Sequence, residues 1–381
     1  MVFAVVTGGG TSGHVIPALA VLEALEDAGY APEDLRYVGS QRGIETRLMK
    51  SSPVESHFLP ISGLQRSFSP SKLMANVALP LRLFRSTSAA MRLIRQWNPE
   101  VVISLGGYAS EPMARAARKQ NIPLVCISYD RIPGLATKRQ QRYAIACAVA
   151  FEDSDLARSE YTGAPVRRSI RSLNRAHRRA DARRVLDIAP HAKVVTVVGG
   201  SLGSGLLNNA ISGVLHEIEQ SSLDNTVVFH ICGERFLDEP IPTVPTGVTY
   251  RRFGYVDQMS DMYAATDVLV SRAGASTVAE IATVGLSSII VPWKDAADNH
   301  QELNARWLSD AGAAIMLTES QVSRGLLGVE VTQLLSDESS RIELEKKALD
   351  LGSVHRSNRL VELIQRVAMT ASPHGENKGS L

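Results

Sequence analysis

The chain has 381 residues, 44% hydrophobic, 21% charged and 5% aromatic, and 41 Lys+Arg against 39 Asp+Glu give a formal charge of +2. At roughly 100–200 residues per domain, this length predicts two globular domains. The composition excludes a fibrous or disordered chain, and the balanced charge excludes a general nucleic-acid binder.

Three cysteines, Cys126, Cys147 and Cys232, are too few and too scattered for a disulfide framework or a structural zinc site, which points to a reducing compartment. The opening MVFAVVTGGG has no basic start and no cleavage site, so it does not read as a signal peptide. Every other apolar run falls short of the roughly 18 residues of a membrane span, so any membrane contact is expected to be peripheral.

In chain order, Val2–Val6, Leu35–Gly39, Val101–Ser104 and Leu124–Ser128 are apolar runs of strand length. Helical periodicity fills Pro17–Ala28, Ser71–Gln96 and Glu111–Gln120 between them. The second half repeats the rhythm: strands at Val194–Val198, Thr226–Ile231, Val268–Ser271 and Ser288–Val291, helices at Leu206–Ile218, Thr277–Val284 and Asn299–Asp310. Strands alternating with helices predict two parallel sheets covered on both faces. The breaker cluster Gly163-Ala164-Pro165 sets the expected boundary, with domains 1–163 and 164–352. The arginine-rich stretch Arg158–Arg184 reads as a linker and solvated helix face rather than a binding patch. Residues 370–381 read as a disordered tail.

The 28 glycines cluster at strand ends. Gly8-Gly9-Gly10-Thr11-Ser12-Gly13-His14 follows the first strand, Gly106-Gly107-Tyr108 the third run, and Gly199-Gly200-Ser201-Leu202-Gly203-Ser204-Gly205 the first strand of the second half. Glycine lets such a turn bring its N–H groups close to a ligand, and the helix start that follows favours an anion such as phosphate. No Gly-Lys-Ser/Thr ends either long turn, so neither is a P-loop, and neither is a clean dinucleotide fingerprint. Ser271-Arg272-Ala273-Gly274-Ala275-Ser276-Thr277 is a further strand–turn–helix. There Ser276 and Thr277 suit a diphosphate and Glu280 the hydroxyls of a ribose, while Ser-Thr-x-x-Glu equally fits a capping box. His14 is the one titratable residue of the first turn and suits a general base, or else a helix cap or phosphate contact. Asp153-Ser154-Asp155 resembles a metal-binding D-x-D but reads better as the start of a surface loop. Ser71–Gln96 interleaves Val77, Leu79, Leu81 and Phe84 with Arg82 and Arg85, a pattern suited to an anionic membrane surface, and Pro80 predicts a break into two helices.

GGGTSGHVIPALA at 8–20, GGYAS, GGSLGSGLLN and RAGASTVAEI followed by DNHQELNA together resemble the MurG family over roughly residues 2 to 365. Arg42-Gly43-Ile44-Glu45, Ile61-Ser62-Gly63-Leu64, Pro133-Gly134-Leu135 and Gly163-Ala164-Pro165-Val166-Arg167 extend the likeness. The resemblance implies an α/β GT-B fold, two Rossmann-like doubly wound domains facing across a cleft, with a C-terminal helix near 353–369 joining the first. It implies transfer of N-acetylglucosamine from UDP-N-acetylglucosamine to the muramyl 4-hydroxyl of undecaprenyl-diphospho-N-acetylmuramoyl-pentapeptide, on the cytoplasmic face of the bacterial membrane. His14 is then the catalytic base. Thr11, Gly13, Asp130, Arg167, Ser201, Val256, Arg272, Ser276, Thr277, Glu280 and Gln301 serve the donor. Gly9, Gly10, Ser12, Gly106, Gly107 and Tyr108 serve the acceptor. No metal or cofactor is implied, and the partners are the two substrates, the anionic membrane surface and cell-wall or division proteins.

Three departures from the family pattern bear on substrate detail. Ile127-Ser128-Tyr129-Asp130 stands where the family carries His-Glu-Gln-Asn, and an ionised Asp130 accepts but cannot donate a hydrogen bond. Glu111 stands where glycine is usual, and Leu286-Ser287 lacks the usual proline. Alternative readings are a related transferase with another lipid or natural-product acceptor, a UDP-N-acetylglucosamine 2-epimerase, and a non-catalytic scaffold.

Overall fold

The computed structural model describes residues 2–10, 12–41, 45–61, 79–221 and 223–370, with Ser12, Ser51, Leu79 and Pro80 described by backbone alone. Thr11, Val77, Arg42-Gly43-Ile44, Ser62-Gly63-Leu64 and the tail beyond Thr370 lie outside the described residues. Contacts divide the chain into two units, one of residues up to Arg167 together with those from Ser357 onward, the other Arg168–Arg356. The division falls after Arg167 rather than at Gly163 because Arg167 is held by Glu23 of the first helix, Ser12–Asp27, at 2.8 Å.

The first unit is a seven-stranded parallel sheet. Its strands are β1 (Ala4–Thr7), β2 (Leu35–Ser40), β3 (Glu55–Leu59), β4 (Val101–Ser104), β5 (Leu124–Ser128), β6 (Ala146–Val149) and β7 (Ser159–Tyr161), in the order β3-β2-β1-β4-β5-β6-β7. The second is a six-stranded parallel sheet of β8 (Lys193–Val198), β9 (Thr226–Ile231), β10 (Val248–Phe253), β11 (Val268–Ser271), β12 (Ser288–Ile290) and β13 (Ile315–Met316), in the order β10-β9-β8-β11-β12-β13. Counted within each unit, both begin 3-2-1-4-5-6, the doubly wound order whose direction of winding reverses between the first and fourth strands. β8 lies between β9 and β11 with Val198 level with Ile231 and Ser271, so the three strands end together at one edge.

Near-continuous apolar strands follow from burial on both faces. In β8, Val195 and Val197 join a core with Leu207, Ile211 and Val270, while Val194 joins the core of the opposite face with Phe229. The helix Leu79–Trp97 shows how one sequence serves two surfaces. Ala90, Ile94 and Trp97 are buried, with Leu83 packed against the same core, whereas Leu81 and Phe84 are 53% and 68% exposed. The described helix begins at Leu79, and the segment before it, in which the sequence predicts a second helix, lies outside the described residues. Pro80 occupies the first turn, where its missing N–H costs no bond.

The arginine stretch differs from expectation. The helix Arg175–Val185 turns Arg175, Arg179 and Arg183, spaced four apart, toward Thr266 and Asp267. Arg183 is buried and pairs with Asp267 at 2.9 Å, so this face is an ion-paired packing surface, not a solvated one. The helix Arg359–Met369 buries Leu360, Leu363, Ile364 and Val367, and its Arg366 and Gln365 reach Glu160 and Tyr30 of the first unit.

Candidate active site

The four glycine turns occupy equivalent places. They follow β1 and β4 in the first sheet, and β8 and β11 in the second, so each pair brackets the point where winding reverses. Open α/β sheets bind ligands at that point, outside the carboxyl ends of the strands.

In the first unit, the turn after β1 leads into the helix Ser12–Asp27 and the turn after β4 into Gly107–Lys119. They meet at His14. A Cβ on Gly107, whose φ is +72°, would stand 2.8 Å from the Gly9 carbonyl and 3.3 Å from His14 Nε2, so only glycine permits this approach. The Tyr129 ring lies edge-on to the imidazole at 6.2 Å, and its hydroxyl donates to the Gly13 carbonyl at 2.7 Å. His14 is half-buried. Burial holds its pKa below the ordinary 6.5, against an opposing pull from the Asp130 carboxylate. The imidazole is therefore neutral near pH 7 and able to accept a proton. Gly9, Gly10, Gly13, Gly106, Gly107, Tyr108, Asp130 and His14 thus form one group, whereas Arg167 sits apart on Glu23. Glu111 is turned into the protein, pairing with Arg115 at 2.7 Å and accepting from Gln140 at 3.0 Å.

In the second unit, the helix Ala275–Val284 begins at Gly274 with no side-chain cap. The capping-box reading of Ser276, Thr277 and Glu280 is therefore set aside. Ser276 and Thr277 fall in its first turn, at the positive end of the helix dipole. Glu280 instead accepts a hydrogen bond from the buried Tyr263 hydroxyl at 2.7 Å. Ser201 is exposed in the turn after β8. Gly203 in that turn is packed so closely on the Cys232 carbonyl that a Cβ would overlap it. Arg272 ties the neighbouring turns together: its Nε donates to Ser204 at 3.0 Å, and its Nη1 pairs with Glu319 at 2.8 Å and reaches the Val291 and Pro292 carbonyls. Its charge is thus spent on holding three strand ends in place. Gln301 accepts from the Trp293 N–H at 3.1 Å through Oε1. Val256, in the loop after β10, packs against the core beside Phe253. Asp153 of the D-x-D pairs with Arg131.

Glu45 is a site residue that reading the sequence found only as part of a motif. Its side chain is fully buried beneath the first glycine turn. The carboxylate accepts from Gly10 N–H, Ser40 N–H at 2.6 Å and Ser40 Oγ at 3.0 Å. The Tyr37 hydroxyl, 3.4 Å from Oε2, donates to the Gly8 carbonyl at 2.7 Å. Gly10 therefore offers the acceptor side its shape and not its N–H.

Two parallel sheets of this order, each with a pair of glycine turns at its reversal point, define a protein of two doubly wound α/β units that bind ligands at those points. Residues 4–149 match the glycosyltransferase family 28 N-terminal domain, and residues 194–366 the glycosyltransferase family 28 C-terminal domain. The UDP-N-acetylglucosamine–N-acetylmuramyl-(pentapeptide) pyrophosphoryl-undecaprenol N-acetylglucosamine transferase of Desulforudis audaxviator is 35% identical over 377 residues, 96% of this chain and 98% of the relative. The enzyme of the same name from Halalkalibacterium halodurans is 32% identical over 96% of this chain and 99% of the relative. The crystal structure of Acinetobacter baumannii MurG is similar with a TM-score of 0.69 and 25% identity, covering 96% of this chain and 99% of that one. The chain belongs to the MurG family of glycosyltransferases.

Proposed function

We propose that the protein transfers N-acetylglucosamine from UDP-N-acetylglucosamine to the muramyl 4-hydroxyl of a lipid-linked diphosphate muramyl pentapeptide, with inversion. The observation that carries this reading is His14 held between Gly107 and Tyr129 at the reversal point of the first sheet, in a chain related to MurG enzymes over nearly its whole length. The acceptor hydroxyl attacks the anomeric carbon, His14 takes its proton, the bond from that carbon to the diphosphate oxygen breaks, and UDP leaves. The uncapped start of Ala275–Val284, with Ser276 and Thr277, and the turn bearing Ser201 stabilise the charge that grows on the diphosphate. Glu280, oriented by Tyr263, holds the ribose, Val256 flanks the uracil, and Gln301 donates to a sugar hydroxyl. Thr11, Gly13, Asp130 and Arg167 complete the donor contacts. Gly9, Ser12, Gly106, Gly107 and Tyr108 shape the acceptor side.

Among the described residues no helix is long and apolar enough to cross a membrane. The exposed Leu81 and Phe84, with Arg82 and Arg85, would rest on the anionic cytoplasmic surface where such an acceptor resides. The deciding experiment supplies UDP-N-acetylglucosamine and lipid-linked muramyl pentapeptide in vesicles with and without anionic lipid, and separates the products. Disaccharide-linked lipid, formed faster on anionic vesicles, is expected. UDP release without that product would sink the acceptor assignment, in line with the altered Ile127–Asp130 segment. Equal rates on both vesicles would sink the membrane surface.

A further inference from the structure

We propose that Glu45 is a positioning residue of this reaction: as a buried carboxyl group beneath the first glycine turn, it sets how Gly9, Gly10 and His14 meet the acceptor. The inference rests on the reading above.

Three separate segments are committed to this one carboxylate. Glu45 supplies it, and a Cβ on either Gly9 or Gly39 would overlap its oxygens, so both glycines make room for it. Ser40 gives it two donors, and the turn itself gives the Gly10 N–H. Tyr37 joins the same group to the Gly8 carbonyl, so the turn is held on either side of Gly9, by its carbonyl at Gly8 and its N–H at Gly10. The opposite side of the turn is fixed by Tyr108, whose ring a Cβ on Gly10 would overlap.

Glu45 is an expensive way to fill this space. Burial raises its pKa, and the hydrogen bonds from Gly10, Ser40 and Tyr37 only oppose that rise. A buried polar group that well-packed apolar atoms could replace is weak evidence for stability. What the carboxylate adds is direction, because it accepts the turn's Gly10 N–H at a fixed place before any substrate arrives. That place matters to the chemistry through Gly107, which is packed against both the Gly9 carbonyl and His14 Nε2. A displaced turn therefore displaces the base.

The test compares the full-length wild type with Glu45→Gln, Glu45→Ala and Tyr37→Phe. Glu45→Gln keeps an acceptor for Gly10 but turns an NH2 against a donor of Ser40. We expect acceptor kcat/KM to fall about tenfold in Glu45→Gln and about a hundredfold in Glu45→Ala, the scale of an ångström of misplacement. Tyr37→Phe is expected to lose about threefold by the same effect. UDP affinity, set chiefly by the proposed contacts of Ser276, Thr277, Glu280 and Val256 in the other unit, is expected to change less than acceptor kcat/KM, staying within about twofold in all three. Hydrogen exchange of the segment 8–14 is expected to quicken about tenfold in Glu45→Gln and Glu45→Ala. Folded variants with wild-type acceptor kcat/KM and unchanged exchange overturn the inference, as does a loss of UDP affinity equal to the loss in kcat/KM. If Glu45→Ala does not fold, Glu45→Gln and Tyr37→Phe decide alone. A wild type that forms no product with this acceptor refutes the functional reading instead, and the exchange measurement still decides whether Glu45 holds the turn.

Discussion

Burial pulls the His14 imidazole below its ordinary pKa, and the Asp130 carboxylate pulls it back up. A base works in its deprotonated form, so acceptor kcat/KM should rise with pH through an acid limb below 6.5 and be level above it. Asp130→Asn removes the opposing pull and should move that limb to still lower pH. His14→Ala should cut turnover by about 10²–10⁴ while UDP still binds. A pH–rate profile in which Asp130→Asn leaves the limb in place, or raises it, would end this account of the pair. His14 was legible in the sequence because a titratable residue among glycines is conspicuous. Glu45 was not, because its role depends on Gly10, 35 residues away, and on the positions of Gly9 and Gly39. Arg272 was legible as a motif member, but its pairing with Glu319, 47 residues on, was not.

At the scale of elements, the sequence exposed most strands buried on both faces, β6 being the exception, and hid what lies at an edge. The central strands β1, β4, β5, β8, β9, β11 and β12 are apolar runs. β10 carries Arg251 and Arg252, β7 reads Ser-Glu-Tyr, and β13 has two residues, so none of these edge strands announces itself. The glycine turns were visible, but which glycines are obligatory was not. Gly203 has φ +72° and no room for a Cβ beside the Cys232 carbonyl. A Cβ on Gly200, whose φ is +86°, would meet no atom within 4 Å, and one on Gly205, at a helix start, would meet only Phe236 at 3.9 Å. Gly203→Ala should therefore cost more than about 2 kcal/mol, combining overpacking with left-handed strain, and should abolish UDP binding. Gly200→Ala should cost only the strain, about 1–2 kcal/mol. Gly205→Ala should be neutral or stabilising by about 0.5 kcal/mol, through the unfolded chain. Urea denaturation with UDP calorimetry on the three variants checks the order, and equal losses at 200 and 203 would contradict it.

Across the whole molecule, the two units should respond unequally to acid. The second buries His230 and His355, whose pKa values burial lowers to about 4 in each case. Between pH 6.5 and 4 the unfolded chain binds protons at these sites that the folded chain does not, so stability falls as pH falls through that window. At about 1.4 kcal/mol per pH unit, each imidazole costs on the order of 3 kcal/mol once the pH is below the window, a large share of the roughly 5–15 kcal/mol that holds a domain. The first unit has one lowered histidine, His14, but also Glu45, whose raised pKa means that acid adds stability there. His230 is bound to Tyr250 at 2.7 Å and Asn208 at 2.9 Å, so protonating it also breaks a pair in which a ring nitrogen accepts. Hydrogen exchange on the full chain, taken from pH 7 to pH 4.5 and corrected for intrinsic rate, should show β8–β12 losing protection while β1–β6 keep theirs. His355→Leu, which fills the same buried place without a titrating group, should reduce that loss. Equal loss in both sheets, or the same loss in His355→Leu as in the wild type, would show that the buried imidazoles do not set the acid stability of the second unit.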